Sequence, residues 1–169
     1  MQLSTVVVTE FMTNCFILVD EQTKQALVID PGGEPDRILR EIETMGIEVL
    51  AVVNTHAHVD HIGALREIKK ATGAQIMMHV SELPLLQSAS RMGRLFGVHI
   101  EQPPDPDRFL VDSDQIQCGS ITLTVIETPG HTLGHIAYYE TAGRHLFSAD
   151  ALFSLGVGRM FEGQPAPMW

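Results

Sequence analysis

The sequence is poor in cysteine and in positive charge. Its 169 residues include two cysteines, Cys15 and Cys118, which are too few for a disulfide framework and do not form a zinc-type spacing. Lysine and arginine number 11 against 21 aspartate and glutamate residues, for a formal charge of −10. The chain has no basic stripe to neutralise phosphate groups, so we expect no nucleic-acid partner.

The sequence also lacks a long apolar run. No stretch approaches the length of a membrane span, and residues 1–5 lack the basic segment and apolar stretch of a signal peptide. We therefore expect no membrane partner and a cytoplasmic location. A length of 169 residues suits one domain, residues 1–169, with its own hydrophobic core.

Strand-like and helix-like segments are mixed along the chain, which predicts a layered α/β architecture. Strands are expected over residues 3–8, 14–19, 25–30, 48–54, 75–79 and 121–126, and a hairpin over 135–139 and 145–149. Helices are expected from Pro35 to a stop at Gly46, from Ile62 to a stop at Gly73, and from an N-cap at Ser81 through Gln87. Residues 88–110 contain three prolines and are expected to be irregular.

The most informative segment is residues 52–63, where four potential metal ligands fall within six positions directly after an apolar run. Residues two apart in an extended segment point the same way, so His56 and His58 can hold one ion together. Asp60 and His61 follow where the chain bends into a helix, and they can turn toward a second ion. Imidazole with carboxylate suits zinc or iron. The alternative, four solvated side chains in a loop, is disfavoured by this spacing at the end of a strand.

Three segments together resemble the metallo-β-lactamase fold superfamily. They read Thr-His-Ala-His-Val-Asp-His at 55–61, Pro-Gly-His-Thr-Leu-Gly-His at 129–135 and Ser-Ala-Asp at 148–150. Their order and approximate separations match the family across nearly the whole chain. Ala149 stands where the family usually has glycine, and its small side chain should fit the same tight turn. The resemblance implies a four-layer αββα sandwich.

Within the superfamily, residues 134–139 and 151–163 resemble glyoxalase II, the hydroxyacylglutathione hydrolases. Those relatives continue past the position of Trp169 with a helix, a final strand carrying another metal-binding histidine and, in full-length glyoxalase II, a helical region that contacts glutathione. The resemblance therefore implies a domain incomplete at its C-terminus, with an open sheet edge. Two alternatives stay open: the chain is a fragment, or a homo-oligomer covers the open edge.

The resemblance also implies a metal-ligand set. The first site would hold an ion with His56, His58 and His131, and the second with Asp60 and His61, while Asp150 would bridge the ions. Two divalent ions are implied, with zinc favoured and iron or manganese as alternatives, and the second site lacks one expected ligand. Ions about 3.5–4 Å apart lower the pKa of a water molecule between them to roughly 7. Asp60 and Asp150, whose carboxylates would hold these ions, are the candidate catalytic residues.

The implied reaction is hydrolysis of a small-molecule acyl-thioester, for example S-lactoylglutathione, by metal-bound hydroxide. A thiolate leaving group with a pKa of about 8.5 needs little protonation, so no separate acid is required. Arg159 is the candidate for substrate binding, with a plain surface arginine as the alternative. Two other functions stay open. In the first, His56, His131 and Asp150 alone provide the two histidines and one carboxylate that hold a single non-haem iron ion, as in the persulfide dioxygenases of this superfamily. In the second, a chain without its last ligand is an inactive remnant that serves as an interaction module.

The remaining histidines receive weaker interpretations. His135 is expected to be structural, with a hydrogen-bonding role behind the metal ligands as the alternative. His79 is expected to be capped or solvated, and His99 and His145 are expected on the surface. Cys15 lies in an apolar run and is expected to be a buried thiol.

Overall fold

The apolar segments of the first half of the chain form a six-stranded sheet, and a computed structural model describes it within residues 1–160. Its strands, in spatial order, are β1 (Gln2–Val8), β2 (Thr13–Val19), β3 (Gln25–Ile29), β4 (Glu48–Val53), β5 (Gln75–His79) and β6 (Arg108–Leu110). The pairs from β1 to β3 are antiparallel and those from β3 to β6 are parallel. The carboxyl ends of β3 and β4 therefore lie at the same edge of the sheet.

A second sheet comes from the second half of the chain and is antiparallel throughout. In the order β10-β9-β8-β7 it contains β7 (Gln115–Cys118), β8 (Ile121–Glu127), β9 (Ile136–Glu140) and β10 (His145–Phe147). A short hairpin follows, formed by β11 (Leu152–Phe153) and β12 (Gly156–Val157). Strand β8 and the β9–β10 hairpin confirm the sequence predictions.

Four helices pack on one face of the first sheet. They are α1 (Pro35–Met45), α2 (Val59–Ile62), α3 (Leu65–Thr72) and α4 (Leu83–Leu95). Proline occupies the first turn of α1, and Gly46 ends that helix with a left-handed φ of 62°, a conformation that glycine adopts without strain. The predicted helix after residue 62 is instead two helices, α2 and α3, separated at Gly63 and Ala64.

The core lies in two layers on either side of the first sheet. Val28 and Val52 face the helices and pack with Ile68, whereas Leu27 and Val53 face the second sheet. Because successive strand residues point to opposite faces, strands covered on both sides need continuous apolar runs. This requirement explains the unbroken apolar sequences of β3 and β4, at whose ends the candidate site lies.

The resulting arrangement is an α/β fold of the metallo-β-lactamase type, as the sequence motifs predicted. Residues 1–160 supply a helical layer and two sheets; a helical layer on the far side of the second sheet is not found within that range. No helix of the described chain is both long and apolar enough to cross a membrane.

Two further local predictions were wrong. Residues 88–110 are not all irregular, because α4 runs on to Leu95 and β6 pairs with β5. Apolar side chains at Leu86, Ala89 and Met92 continue the helical spacing, and the prolines begin only at Pro103. Ser81 is not an N-cap: it lies within a 3-10 helix, Val80–Glu82, whose first turn is capped by the His79 side chain.

Candidate metal centre

The predicted ligands come from four places that the fold brings to one edge of the two sheets. His56 and His58 follow β4, and Asp60 and His61 lie on α2. His131 lies in the loop between β8 and β9. Asp150 lies in a 3-10 helix, Ala149–Ala151, directly after β10. The edge is the carboxyl end of β3 and β4, which is where open α/β sheets commonly place their sites.

One group of possible ligands consists of His56, His58 and His131. One ring nitrogen from each lies within 4.8 Å of the others. Nδ1 of His58 is 2.9 Å from Nε2 of His131, and the ring of His56 is edge-on to both other rings. These are the three residues that the family resemblance assigns to the first metal site.

A second group consists of His56, His61 and Asp150, again with one ligand atom each within 4.8 Å. Asp150 Oδ1 is 3.3 Å from Nε2 of His61, while its Oδ2 is 3.4 Å from Nε2 of His131. The carboxylate of Asp150 therefore lies between the two groups, in the position that a bridging ligand needs. Asp60 lies beside the second group, with Oδ2 at 3.5 Å from His61 Nε2, and it also accepts a hydrogen bond from Thr13.

The tautomer of His56 follows from its neighbours. The single hydroxyl proton of Thr55 is donated to Asp30 Oδ2 at 2.7 Å, so the Thr55 oxygen accepts the Nδ1–H of His56 at 3.0 Å. Nε2 of His56 then carries a lone pair. This atom is buried and has no hydrogen-bond partner among the described residues, although buried polar atoms are normally paired.

Asp30 orients His61 as well. Its Oδ2 lies 3.0 Å from His61 Nδ1, which directs Nε2 of that ring toward Asp60 and Asp150. Although burial acts to lower it, hydrogen bonds from His61 to Asp150 and Asp30 raise the pKa of His61 to about 10. The carboxylates around this ring stabilise positive charge at it, whether a proton or a metal ion carries that charge.

The rings of His56 and His58 are held neutral. Burial, followed by the neighbouring His61, holds the pKa of His56 well below its usual value. Burial and then His131 lower the pKa of His58 to about 4. Metal ions bind neutral imidazole, so these shifts favour ligation over protonation at neutral pH.

A backbone carbonyl group orients the ring of His131. Its Nδ1 lies 2.6 Å from the carbonyl oxygen of Arg159, which orients Nε2 toward His58 and Asp150. Arg159 was predicted as a substrate-binding side chain; the structure shows its carbonyl supporting a candidate ligand and its side chain exposed. The last part of the segment 151–163 that resembles glyoxalase II, residues 161–163, lies outside the described residues, as does Trp169.

His135 lies behind the candidate ligands. It is fully buried, its ring is stacked on His56 at a centroid distance of 5.0 Å, and its Nδ1 is 2.8 Å from the Thr128 hydroxyl. Burial, then His131, lowers the pKa of His135 to about 3. It thus packs against a ligand ring and belongs to neither group of ligand atoms.

Sequence reasoning missed two buried carboxylates that hold the site together. Asp30, at the end of β3, supports His56 through Thr55 and supports His61 directly. Glu82 accepts hydrogen bonds from both ligand loops. The sequence could have indicated Asp30, because this residue follows an apolar strand and precedes a turn. No local pattern indicates Glu82, because its partners lie at least 25 positions away.

A metal ion fits this set of side chains. Nε2 of His56 has no hydrogen-bond partner among the described residues, and His56 belongs to both groups of possible ligands. The surrounding donors are imidazole nitrogens and carboxylate oxygens. Zinc and iron favour this combination, whereas calcium and magnesium favour oxygen alone. Behind each of His56, His61 and His131, an oxygen faces the ring nitrogen that points away from the centre, as is usual for metal-binding histidines.

The fold and the site together define an α/β protein with a candidate metal centre at the edge of its sheets. The profile of the metallo-beta-lactamase superfamily matches residues 8–167, nearly the whole chain. The chain therefore belongs to the metallo-beta-lactamase superfamily, whose members bind divalent metal ions.

Several curated relatives of this chain are named hydroxyacylglutathione hydrolase. A hydroxyacylglutathione hydrolase of Rhodospirillum rubrum is 40% identical over 148 residues, covering 87% of this chain and 50% of that protein. Hydroxyacylglutathione hydrolase GloC of Haemophilus influenzae is 32% identical over 161 residues, covering 94% of this chain and 76% of the relative. The chain spans about half the length of several of these relatives.

Solved structures agree on the fold. BLEG-1, a B3 metallo-beta-lactamase, matches with a TM-score of 0.89 and 28% identity, covering 99% of this chain and 81% of that one. TTHA1623 in a di-iron-bound form matches with a TM-score of 0.88 and 32% identity, covering 98% and 81%. ETHE1 from Myxococcus xanthus matches with a TM-score of 0.79 and 26% identity, covering 99% and 66%.

Proposed function

We propose that this protein is a metal-dependent hydrolase that cleaves an acyl-thioester. The observation that carries the proposal is the position of Asp150, whose two oxygens lie 3.3 and 3.4 Å from nitrogens of His61 and His131. One carboxylate thus reaches both groups of possible ligands, as a two-metal site requires. The name shared by the curated relatives supports a thioester of glutathione as the substrate class.

The residues that would hold the first ion are His56, His58 and His131. His61, Asp60 and Asp150 would hold the second, with Asp150 shared. When bound, divalent ions polarise the substrate carbonyl and lower the pKa of water to roughly 7. Overall, water adds oxygen to the acyl carbon, the carbon–sulfur bond breaks, and a carboxylic acid and a thiol are released.

The chain's own residues prepare this reaction by fixing orientation and charge. Asp30 and Thr55 hold His56 in the tautomer whose Nε2 carries a lone pair and can bind a metal ion. The carboxylates of Asp60 and Asp150 both line the cavities that open onto the site, where they can accept hydrogen bonds from the attacking water. A preorganised set of this kind needs little rearrangement during reaction.

Metal analysis combined with a thioester assay tests the proposal. We expect about two zinc-like ions per chain and release of thiol from S-lactoylglutathione that a chelator abolishes. Asp150→Ala should lower turnover about a hundredfold or more, because it removes a ligand from a centre that contributes several kcal/mol. Asp105→Ala, at an exposed position, is the matched control. Absence of turnover by metal-loaded, folded protein would refute the proposal, and one iron with oxygen uptake would support the dioxygenase instead.

A further inference from the structure

An apolar cavity of about 340 Å³ opens directly onto the candidate metal centre. Four candidate ligands line it: His58, Asp60, His131 and Asp150. The rest of its wall is apolar and comes from Phe11, Ala57, Val59, Leu85, Met92 and Phe96. A cavity of this size and lining is suited to part of a small molecule whose reacting group lies at the polar end.

Helix α4 and the residue that follows it supply half of the apolar residues in this wall. Leu85 and Met92 are seven residues apart, so they lie on the same face of the helix. Both are partly buried and pack against the core beneath the helix, which fixes that side of the cavity. Phe11 from the β1–β2 turn and Phe96 from the end of α4 stand at the rim, where both rings are more than half exposed.

A second cavity, of about 570 Å³, reaches the centre from the other side of Asp60 and Asp150. Its lining is more polar and includes Thr13, Asn14 and Ser148. Within residues 1–160, no lysine or arginine lines either cavity. The charged thiol half of a glutathione ester would lose hydration against the apolar wall of the first cavity, whereas polar side chains line part of the second cavity. The two halves of a thioester are therefore matched to different cavities.

We infer that the cavity on α4 binds the acyl chain and makes the protein select thioesters with extended apolar acyl groups over short polar ones. This inference depends on the proposed thioester hydrolysis. Each methylene buried on the apolar wall contributes about 0.8 kcal/mol, and that binding raises kcat/KM when it is retained in the transition state.

A series of acyl groups on one thiol tests the inference. The probes are the acetyl, butyryl, hexanoyl and lactoyl esters of glutathione, with each kcat/KM divided by the rate of hydroxide-catalysed hydrolysis of the same ester. We expect kcat/KM to rise about three- to fourfold per methylene from acetyl to hexanoyl, with lactoyl near acetyl. A flat or falling series would overturn the inference while leaving thioester hydrolysis intact. No metal-dependent thiol release from any ester would overturn both.

Variants on α4 locate the effect. Met92→Ala and Leu85→Ala should reduce the hexanoyl-to-acetyl ratio at least about threefold, the effect of one buried methylene, and leave the metal content near wild type. Leu95→Ala is the matched control, because Leu95 lies on the same helix, is 74% exposed and does not line the cavity. An unchanged ratio in the two cavity variants would overturn the inference.

Binding provides a readout that does not depend on turnover. Hexanamide is neutral and carries the acyl chain without a thiol, so it probes the cavity alone. In protein labelled at methionine methyl groups, we expect hexanamide to shift the Met92 resonance, assigned with Met92→Leu, and acetamide to shift it far less. Equal shifts from the two amides, or none, would count against an acyl site here.

Discussion

A carboxylate oxygen of Glu82 accepts a hydrogen bond of 2.7 Å from the backbone N–H of Ala57, the residue between His56 and His58. The other oxygen of Glu82 accepts from the Thr132 hydroxyl at 2.6 Å and from the Gly134 N–H at 2.9 Å. Glu82 is fully buried, so these bonds are shielded from water. One side chain therefore fixes both loops that carry the first group of candidate ligands.

The first prediction concerns this link. Glu82→Gln keeps the shape of the side chain but replaces one acceptor oxygen with a donor, so one loop must lose its bond. We expect metal affinity to fall about 10–100-fold, as when other outer partners of ligands are lost, and the free energy of unfolding to fall by about 1–3 kcal/mol. Competition with a chelating dye and urea unfolding measure the two effects. Glu43→Gln, at an exposed position on α1, should change neither; equal affinities for the two variants would contradict the role of Glu82.

The second prediction concerns Asp30, which supports two candidate ligands at once. Asp30→Asn replaces one of two acceptor oxygens with a donor: either Oδ2, which serves both the Thr55 hydroxyl and the His61 ring, or Oδ1, which accepts from the Thr55 N–H. Either loss weakens the support of the preferred tautomers. We expect about 10–100-fold weaker metal binding, with the larger loss at the second ion because His61 contacts Asp30 directly. Titration followed by metal analysis measures the stoichiometry. Asp36→Asn, at an exposed site on α1, is the control, and two ions retained with wild-type affinity would refute the prediction.

The third prediction concerns the close packing of two backbone segments. A Cβ atom at Gly32 would lie 1.6 Å from the carbonyl oxygen of Asp60, so Gly32→Ala must displace helix α2 and its candidate ligands. At Gly156, by contrast, a Cβ atom would meet nothing within 4 Å. We expect Gly32→Ala to lower the free energy of unfolding by about 1–3 kcal/mol and to weaken metal binding, while Gly156→Ala changes both little. Urea unfolding and metal titration compare the variants, and similar values would show that α2 tolerates the side chain.

The candidate ligands could be predicted from the sequence, whereas the residues that orient them could not, for a physical reason. His56, His58, Asp60 and His61 are adjacent in sequence, so their spacing alone indicates a metal site. Their orientation depends on groups that only the tertiary fold brings close, such as Glu82, which lies 50 residues from Thr132. Such contacts leave no periodic or local pattern to detect.

The same distinction applies to the fold. Strands β3 and β4 were predicted because burial on both faces requires continuous apolar runs. The end of α4 was missed because the three prolines were taken to affect residues 88–95 as well, whereas proline acts on its own turn and on the residue before it. The three-residue strand β6 lies close behind those prolines, and it pairs with the edge of an existing sheet, which no local pattern indicates.

The last prediction concerns pH and a contact far from the metal centre. Asp20, in the β2–β3 turn, accepts hydrogen bonds from the N–H and hydroxyl of Ser120 in the β7–β8 turn and from the N–H groups of Gln22 and Thr23. The bonds from Ser120, followed by the one from the Thr23 N–H, hold the pKa of Asp20 well below its usual range. Because the folded-state pKa is lowered, the stabilisation is fully present above the unfolded-state pKa of about 3.9 and is lost as the pH falls toward the folded-state value.

Asp20→Asn cannot ionise, so the difference in unfolding free energy between wild type and this variant should be largest at neutral pH and shrink between about pH 5 and pH 3. Urea unfolding across that range measures the difference, in which contributions from the other titrating groups cancel. Asp105→Asn, at an exposed position, should give a difference near zero at every pH; a constant difference for Asp20→Asn would show that the carboxylate charge of Asp20 does not stabilise the link between the two sheets.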